Sequence, residues 1–282
     1  MANAPTKPTT PVNKESSSAS GAFATLTIPI CIVAAILIFI FILGHPSHFK
    51  GGDPANDPNP GDLFGTVHKG GVIVPIIMSY LLMVIVFSIE RFIVIGKASG
   101  TGNVDAFVRK IQSFLNAGNI DGANAECDKQ KGSVANVIKS GLKKYREMEG
   151  DQTMDVDQKA LAIQKDIEEA TALEMPMLEQ NLTIIATLVS IGTLTGLLGT
   201  VIGMIGAFAT LGASGAPNQS ELSTHISEAL INTALGIGTS AFSIIMYNIF
   251  TSKIDSLTYA IDETGFSIVQ TFAASHKNKS RV

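Results

Sequence analysis

The amino-acid sequence predicts an all-α integral membrane protein with four transmembrane helices and a helical cytoplasmic domain. Hydrophobic residues make up 46% of the 282 residues, and they are concentrated in four blocks. Each block reaches the roughly 20 residues that a helix needs to cross the hydrocarbon core of a bilayer. The segment between the second and third blocks is polar, with apolar residues at helical spacing. The blocks run over Phe23–Leu43, Val72–Ile95, Leu182–Leu211 and Ile226–Phe250.

The amino-terminal part predicts a tail, an anchor and a loop. Residues 1–22 are rich in Ser, Thr, Pro and Ala, a composition that predicts a disordered tail. The apolar core of the first block is too long for a cleaved signal peptide, and Gly44-His45-Pro46 offers no small-residue cleavage site, so we expect a retained anchor. Residues 44–71 carry closely spaced proline and glycine turn signals, which predict a loop between the first two spans.

The distribution of basic residues predicts on which side of the membrane each segment lies. Residues 96–181 hold 11 Lys or Arg and 14 Asp or Glu. The predicted loop 212–225 has no Lys or Arg, whereas the tail 251–282 has four. Because short cytoplasmic segments carry an excess of basic residues, we expect both termini and residues 96–181 in the cytoplasm. The two loops, 44–71 and 212–225, are then expected outside.

The third and fourth blocks predict helices that extend beyond the membrane. The third block would form a helix about 45 Å long, whereas the hydrocarbon core is about 30 Å thick. After the fourth block, apolar residues keep a three-four rhythm beside acidic residues, in Ile254, Leu257, Ile261, Ile268 and Phe272. We therefore expect the third helix to tilt or to project into the cytoplasm, and the fourth helix to continue below the membrane.

Two stripes of small residues indicate close helix packing. The glycine seam of the third block has spacings of four, three, four and three residues, in Gly192, Gly196, Gly199, Gly203 and Gly206. The small-residue stripe of the fourth block repeats these spacings, in Ala229, Thr233, Gly236, Ser240 and Ser243. Glycine costs about 1 kcal/mol in a helix interior, so its repetition predicts a close approach of another helix backbone. The two stripes can line one tight contact, where we expect the function to lie.

Polar side chains inside these two blocks are the candidate functional residues. Thr193 and Thr200 are seven residues apart and share a face beside the glycine seam. Their hydroxyls either line a polar path or only bond the carbonyl oxygen one turn back. Glu228, the one acidic or basic residue of the two blocks, either belongs to an ion path or complements the dipole at the start of a helix. Asn232 and Thr239 fall on the same helix face as Glu228, which favours a polar track.

Further features narrow the class of function. Glu90 and Arg91 lie at the cytoplasmic end of the second block and predict an interfacial ion pair that anchors the helix. The spans have no acidic residue or histidine near mid-membrane, so an ion relay would need a titrating group from a second polypeptide. No motif indicates a cofactor, a metal site, a disulfide framework, nucleic-acid binding or an enzyme.

Several stretches together resemble the MotA/TolQ/ExbB proton channel family, most of all its ExbB branch. Residues 70–75 (Gly-Gly-Val-Ile-Val-Pro) open a span that ends in Glu-Arg-Phe at 90–92. Residues 196–204 (Gly-Leu-Leu-Gly-Thr-Val-Ile-Gly-Met) are similar to the family's most diagnostic segment. Residues 228–236 (Glu-Ala-Leu-Ile-Asn-Thr-Ala-Leu-Gly) resemble the start of its last helix. The resemblance covers roughly residues 68–255 and makes the first span an addition to a three-span family core.

This resemblance implies a homo-oligomeric ring, a pentamer in this family, around single-span ExbD-like partner helices. The proton is carried there by an aspartate of the partner. By this resemblance Thr200 and Thr233 would line the ring against that aspartate, with Glu228 near the outer mouth of the path. Thr193 and Asn232 are further candidates for the path because of their positions on the helix faces of Thr200 and Glu228. The small residues would form a collar for the partner's helix. Such a ring works in the bacterial inner membrane with a TonB-like protein to energise outer-membrane transport.

Two other interpretations stay open at this point. One is the same kind of motor in another role, TolQ-like, gliding or stator-type, driven by protons or by sodium. The other is a non-conducting membrane scaffold that oligomerises through the same stripes and docks a cytoplasmic partner on residues 96–181. With its extra first span the chain resembles the flagellar stators in its number of spans. Thr193 and Thr195 depart from the usual family residues at these positions. The Gly-Leu-Leu-Gly-Thr-Val sequence nevertheless favours the ExbB branch.

Overall fold

The computed structural model of the protein describes residues 15–213 and 219–279, and within these ranges the chain is all-helical. Four segments are long and apolar enough to cross a membrane, as the sequence predicts. They are Phe23–Leu43 and parts of α3, α8 and α9. The helices are α1 (Glu15–Leu37, continued by a π-helical segment, Ile38–Leu43), α2 (Leu63–His68), α3 (Ile73–Ser99), α4 (Val104–Asn116), α5 (Ile120–Gln130), α6 (Gly132–Gly150), α7 (Val156–Glu179), α8 (Leu182–Ala213) and α9 (Gln219–Lys279).

Two boundaries differ from the sequence-based expectation. Helix α1 begins at Glu15, so residues 15–22 are helical and not disordered, while residues 1–14 lie outside the described residues. Helix α9 begins at Gln219, so much of the loop expected at 212–225 is helical, and residues 214–218 are outside the described residues. Both extensions follow from helix cooperativity, because each residue added to an existing helix gains a hydrogen bond without a new nucleus.

Helices α8 and α9 form an antiparallel hairpin at the centre of the bundle. Their mutual contact is the most extensive in the molecule, α3 packs on both of them, and α1 packs on α3. Phe23 of α1 and Phe87 of α3 meet edge to face, with ring centroids 6.2 Å apart. The outward faces of the spans carry large exposed apolar side chains, as expected of surfaces that lie against lipid or other transmembrane helices.

Helices α4–α7 and the second half of α9 form a helical domain beyond the spans. Asn103, Asn119 and Asp155 begin α4, α5 and α7 by accepting backbone N–H groups of the first turn. Burial raises the pKa of the Cys127 thiol to about 12, so this cysteine is an inert member of the core. The core is formed by apolar side chains that include Phe107, Ile111, Ile138, Leu142, Ile163, Ile268 and Phe272.

The segment 44–71 folds over the end of the bundle at which α8 ends and α9 begins. His48 Nδ1 and Asp62 Oδ2 lie 2.7 Å apart. A backbone N–H donor and the His48 ring lower the pKa of Asp62. The ring of His68 stacks on Phe39, with centroids 4.4 Å apart. These contacts hold the segment on the end of α1 and bring the start of α3 beside α9.

Candidate functional site

The glycine seam of α8 lies directly against the small-residue stripe of α9. A Cβ atom built on Gly196 would lie 3.1 Å from the Cα of Gly236 and 3.0 Å from the carbonyl oxygen of Asn232. One built on Gly236 would lie 2.7 Å from the Cα of Gly196. Since these neighbours are backbone atoms, a larger residue would force the two helices apart. At the other glycines of the seam the nearest atoms of α9 are mainly side-chain atoms, in the pairs Gly192–Ser240, Gly199–Asn232, Gly203–Ala229 and Gly206–His225.

This contact corrects the expectation that the small residues form a collar for a partner's helix. The space left open by each glycine of the seam is filled by α9 of the same chain. Interiors are close-packed, so a second helix cannot approach the same surface. What a partner can reach is the edge of the α8–α9 contact, and the threonines lie along that edge.

Two pairs of hydroxyl groups, here called the hydroxyl pairs, join α8 and α9. Thr200 Oγ1 and Thr233 Oγ1 form one hydrogen bond, in which either hydroxyl can donate. Thr193 Oγ1 donates to Ser240 Oγ at 2.9 Å. The three threonines are half-buried, and the serine is buried. Thr233 Oγ1 is also 3.1 Å from the carbonyl oxygen of Ala229, so these hydroxyls both bond their own helix and meet across the contact.

Glu228 lies in the third turn of α9, against the residues that precede α3. Because α9 begins at Gln219 and the dipole effect falls off within the first turn, compensation of the helix dipole does not explain this carboxylate. Gly71 has a φ of +74°, and a Cβ atom on it would overlap Glu228 Oε1. His225 Nδ1 lies 3.6 Å from Glu228 Oε2 on the other side. The carboxylate therefore sits between a glycine turn and an imidazole ring.

Asn232 ties α9 to the start of α3. The side chain is 1% exposed, and its Nδ2 donates to the carbonyl oxygen of Gly70 at 2.9 Å. Its Oδ1 atom has no hydrogen-bond partner among the residues that the structure describes. Asn232 therefore contacts both Gly199 of the glycine seam and the turn before α3. Thr239, the third member of the expected polar track, is buried as well.

Glu90 and Arg91 hold the junction between α7 and α8. Arg91 is 1% exposed, and its Nη1 donates to the carbonyl oxygens of Met177 and Leu178, each at 3.1 Å. Its Nε donates to Glu90 Oε2 at 2.6 Å. The guanidinium thus occupies the carbonyl end of α7, where a cation is favoured, and the adjacent carboxylate compensates its buried charge. The predicted interfacial pair thus also ties α3 to the end of α7, just before α8 begins.

The structure therefore divides the candidate residues into two sets. The glycine seam and the hydroxyl pairs lie between α8 and α9, whereas Glu228 lies against the turn before α3. Asn232 contacts Gly199 of the seam and Gly70 of that turn, and it therefore joins the two sets. Sequence reasoning missed Gly71, although a Gly-Gly pair before an apolar block was an available signal. It also missed His225, because that residue was assigned to a loop. Among the described residues, no group of three or more His, Cys, Asp and Glu side chains is placed to hold a metal ion.

Comparisons with known proteins identify relatives that match parts of this chain. A biopolymer transport protein termed ExbB-like 3 from Synechocystis sp. is 35% identical over 88 residues, 30% of this chain and 42% of that protein. The biopolymer transport protein ExbB of Xanthomonas campestris is 31% identical over 102 residues, 36% of this chain and 40% of that protein. The Tol-Pal system protein TolQ of Pseudomonas aeruginosa is 24% identical over 212 residues, 71% of this chain and 89% of that protein. The chain thus spans about two fifths of the first two relatives.

The model of the MotA/TolQ/ExbB proton channel family matches residues 129–263. The chain carries a MotA/TolQ/ExbB proton channel family domain. This family domain contains α8, both hydroxyl pairs and Glu228, so the family resemblance of the sequence motifs is confirmed for this region. The Gly70-Gly71 turn, the Glu90–Arg91 pair and α1 lie outside the matched residues.

Proposed function

We propose that this chain is the ring-forming subunit of a proton-motive-force-driven motor in the bacterial inner membrane. Together with an ExbD-like partner and a TonB-like protein, the motor energises TonB-dependent outer-membrane transport. The family domain and the ExbB names of two relatives support this class of function. In the proposed topology both termini and the helical domain are cytoplasmic and segment 44–71 is periplasmic, which the distribution of basic residues supports.

The observation that carries the proposal is a row of hydroxyls in spans that hold no acidic residue or histidine near mid-membrane. The hydroxyl pairs place three half-buried threonines along one edge of the α8–α9 contact, with the buried Ser240 bonded to one of them. Hydroxyls donate and accept hydrogen bonds, yet a proton relay across a membrane usually includes a carboxylate or an imidazole. A partner helix that carries an aspartate along this edge supplies the missing group. Glu228 then lies at the periplasmic end of the same path.

Exposed apolar side chains beyond the spans support self-association. Leu161 and Leu173 of α7 are 64% and 70% exposed, and Tyr259 and Phe266 of α9 are 70% and 64% exposed. We call these four residues the apolar face. Groups of large apolar side chains that a water-facing domain leaves exposed mark candidate interaction sites, and a second copy of the chain can cover them. The pentameric state of the proposed ring comes from the family resemblance.

The test is proton flux through the chain reconstituted in vesicles with a single-span, aspartate-bearing partner. Thr200→Val and Thr233→Val keep side-chain volume but delete a hydroxyl, and we expect flux to fall by about tenfold or more while the oligomer still forms. Thr187→Val is the matched control, because Thr187 Oγ1 donates only to the carbonyl oxygen of Thr183 in its own helix, at 2.7 Å. Normal flux in both assembled variants would contradict the proposal.

A TolQ-like role in envelope integrity is the second candidate function. The observation that favours it is the extent of the match to the Pseudomonas TolQ protein, which covers 71% of this chain. Complementation separates the two roles. Rescue of siderophore-dependent iron uptake supports the ExbB-like role, whereas rescue of outer-membrane integrity alone supports the TolQ-like one.

A non-conducting scaffold is the third candidate. Hydrogen bonds within each helix favour this reading. Thr200 Oγ1 lies 3.3 Å from the carbonyl oxygen of Gly196, and Thr233 Oγ1 lies 3.1 Å from that of Ala229. These carbonyl oxygens satisfy the hydroxyls even if no proton path exists. For a scaffold, Glu228→Gln has no effect on function. For a motor, the same substitution lowers proton flux in an oligomer of unchanged size.

A further inference from the structure

A cleft of about 420 Å³ opens between the α7–α8 junction and α9, at the end of the hairpin remote from Glu228. Glu179, Thr183 and Ala186 line one wall. Tyr247, Thr251 and Asp255 line the other. The apolar blocks of α8 and α9 begin and end at these residues. The cleft therefore lies at the boundary between the spans and the helical domain.

The pairing of residues along the hairpin, followed beyond the hydroxyl pairs, reaches residues that line this cleft. Thr200 meets Thr233, and one heptad further along both helices Thr193 meets Ser240. The next heptad step, about 10 Å along the helices, pairs Ala186 with Tyr247, and both of these residues line the cleft. Helical side chains lean toward the N-terminus of their own helix. The Tyr247 side chain is therefore directed toward the Thr193–Ser240 pair.

The third step differs from the first two because Ala186 has no hydroxyl, and both Ala186 and Tyr247 line an open cleft. Thr251 Oγ1 is buried and has no hydrogen-bond partner among the described residues. A buried hydroxyl of this kind is normally satisfied by water, and the cleft has room for several molecules at about 30 Å³ each. In the described part of the chain, neither Glu179 nor Asp255 forms an ion pair. Both carboxylates are exposed at the rim.

We propose that this cleft is the inner opening of the proton path, a water-filled vestibule that continues the hydroxyl pairs. Tyr247 and Thr251 order the water in it. The carboxylates of Glu179 and Asp255 accept each arriving proton from that water and release it to the cytoplasm as hydronium. This inference rests on the proposed function, and it assigns an exit to a path whose other end is at Glu228.

Water access to the cleft is tested independently of flux. In sealed vesicles, Ala186→Cys is treated with a charged, membrane-impermeant methanethiosulfonate on one side at a time. We expect labelling only from the side that carries the helical domain. The native Cys31 and Cys127 are buried, so the unsubstituted protein is the background control. Absence of labelling from that side would overturn the inference, whatever the protein conducts.

The role of the carboxylates is tested by proton flux in the complex with its single-span partner. We expect the double variant Glu179→Gln/Asp255→Asn to lower flux by about tenfold. Asp262→Asn is the matched control, since Asp262 is one heptad beyond Asp255, exposed and outside the cleft. Unchanged flux in the double variant would overturn this inference alone. A wild-type complex that conducts no protons would overturn the proposed function and this inference with it.

Discussion

At the scale of single residues, the placement of Glu228 depends on what lies outside the family domain. Gly71 leaves room for the carboxylate only because it has no side chain, and Asn232 holds the preceding carbonyl group of Gly70 in place. His225 approaches the same carboxylate from α9. The mouth of the proposed path is therefore built by the turn before α3 as much as by α9 itself.

Gly71→Ala tests this placement. Gly71 and Gly61 both have positive φ, +74° and +81°, and alanine in that conformation costs about 1–2 kcal/mol at either site. Only at Gly71 would the new methyl group displace a carboxylate, since a Cβ atom on Gly61 meets nothing within 4 Å. We expect proton flux in Gly71→Ala to fall to the level of Glu228→Gln and to stay normal in Gly61→Ala. Equal flux in the two glycine variants would show that the contact has no role.

The stability of segment 44–71 is expected to depend on pH through His68. Burial lowers the pKa of this ring below its ordinary 6.5, so the folded segment binds the proton less readily than the open one. The contribution of His68 to stability is therefore fully present above pH 6.5 and is lost as the pH falls below 6.5 toward the lower pKa of the folded ring. Asp62 has a pKa lowered from 3.8, so its protonation affects stability only at a more acidic pH than that of His68.

Amide hydrogen exchange of segment 44–71, corrected for the intrinsic rate, measures this effect. We expect protection to decrease from about pH 7.5 to about pH 5.5 in the wild type. His68→Phe keeps an aromatic ring against Phe39 but cannot titrate, and its protection should be constant over this range. The same pH dependence in both proteins would assign the effect to another group.

At the scale of elements, the α8–α9 hairpin owes its closeness to the glycine seam. The backbones approach so tightly that side-chain hydroxyls of opposite helices meet, as Thr193 and Ser240 do at 2.9 Å. A wider hairpin would separate the hydroxyl pairs and open the edge on which the proposed path depends. At the other end of α8, Arg91 sets the junction with α7. The seam and the junction together fix how α8 crosses the bundle.

Two glycines of α9, two residues apart, provide a matched test of the seam. A Cβ atom on Gly236 would lie 2.7 Å from backbone atoms of Gly192 and Gly196, whereas one on Gly238 meets nothing within 4 Å. We expect Gly236→Ala to destabilise the protein by about 1–3 kcal/mol through overpacking. Gly238→Ala should stabilise it by up to about 1 kcal/mol through helix propensity. Thermal unfolding in detergent measures both, and shifts of the same sign would contradict the packing argument.

At the scale of the whole molecule, the spans and the helical domain share one long helix. Helix α9 runs for 61 residues from the end of the bundle that holds Glu228 to the far end of the helical domain. A displacement at the hydroxyl pairs can therefore be carried rigidly into the apolar face, which uses Tyr259 and Phe266 of the same helix. Assembly and conduction are linked through this helix in the proposed motor.

Phe266→Glu tests the apolar face as a contact between copies. Phe266 is 64% exposed in a single chain, so the substitution removes little intramolecular packing but places a charge in the proposed contact. We expect the oligomer to dissociate toward smaller species by light scattering in detergent. Leu63→Glu is the control, since Leu63 is 72% exposed in segment 44–71. An unchanged oligomer in Phe266→Glu would show that another surface holds the copies together.

The local properties of the chain predict much of this fold. The four spans, the helical character of residues 96–181 and the continuation of α9 follow from apolar blocks and helical periodicity, which depend only on neighbouring residues. The two small-residue stripes were also recognisable, because their spacing repeats the helical period. The predictions fail at residues 15–22 and 219–225, where polar composition suggests tail or loop and helix cooperativity extends the helices instead.

The sequence by itself determined the class of the protein: a four-span helical membrane protein with a glycine seam, intramembrane hydroxyls and no acid at mid-membrane. Only the tertiary structure decided that the seam closes on α9 of the same chain, that Glu228 rests on Gly71 and that Arg91 holds the end of α7. The physical reason is that each of these contacts joins residues far apart in the chain. The spacing of residues in the sequence predicts which side chains share a helix face, but the packing of whole helices determines which residues that face contacts.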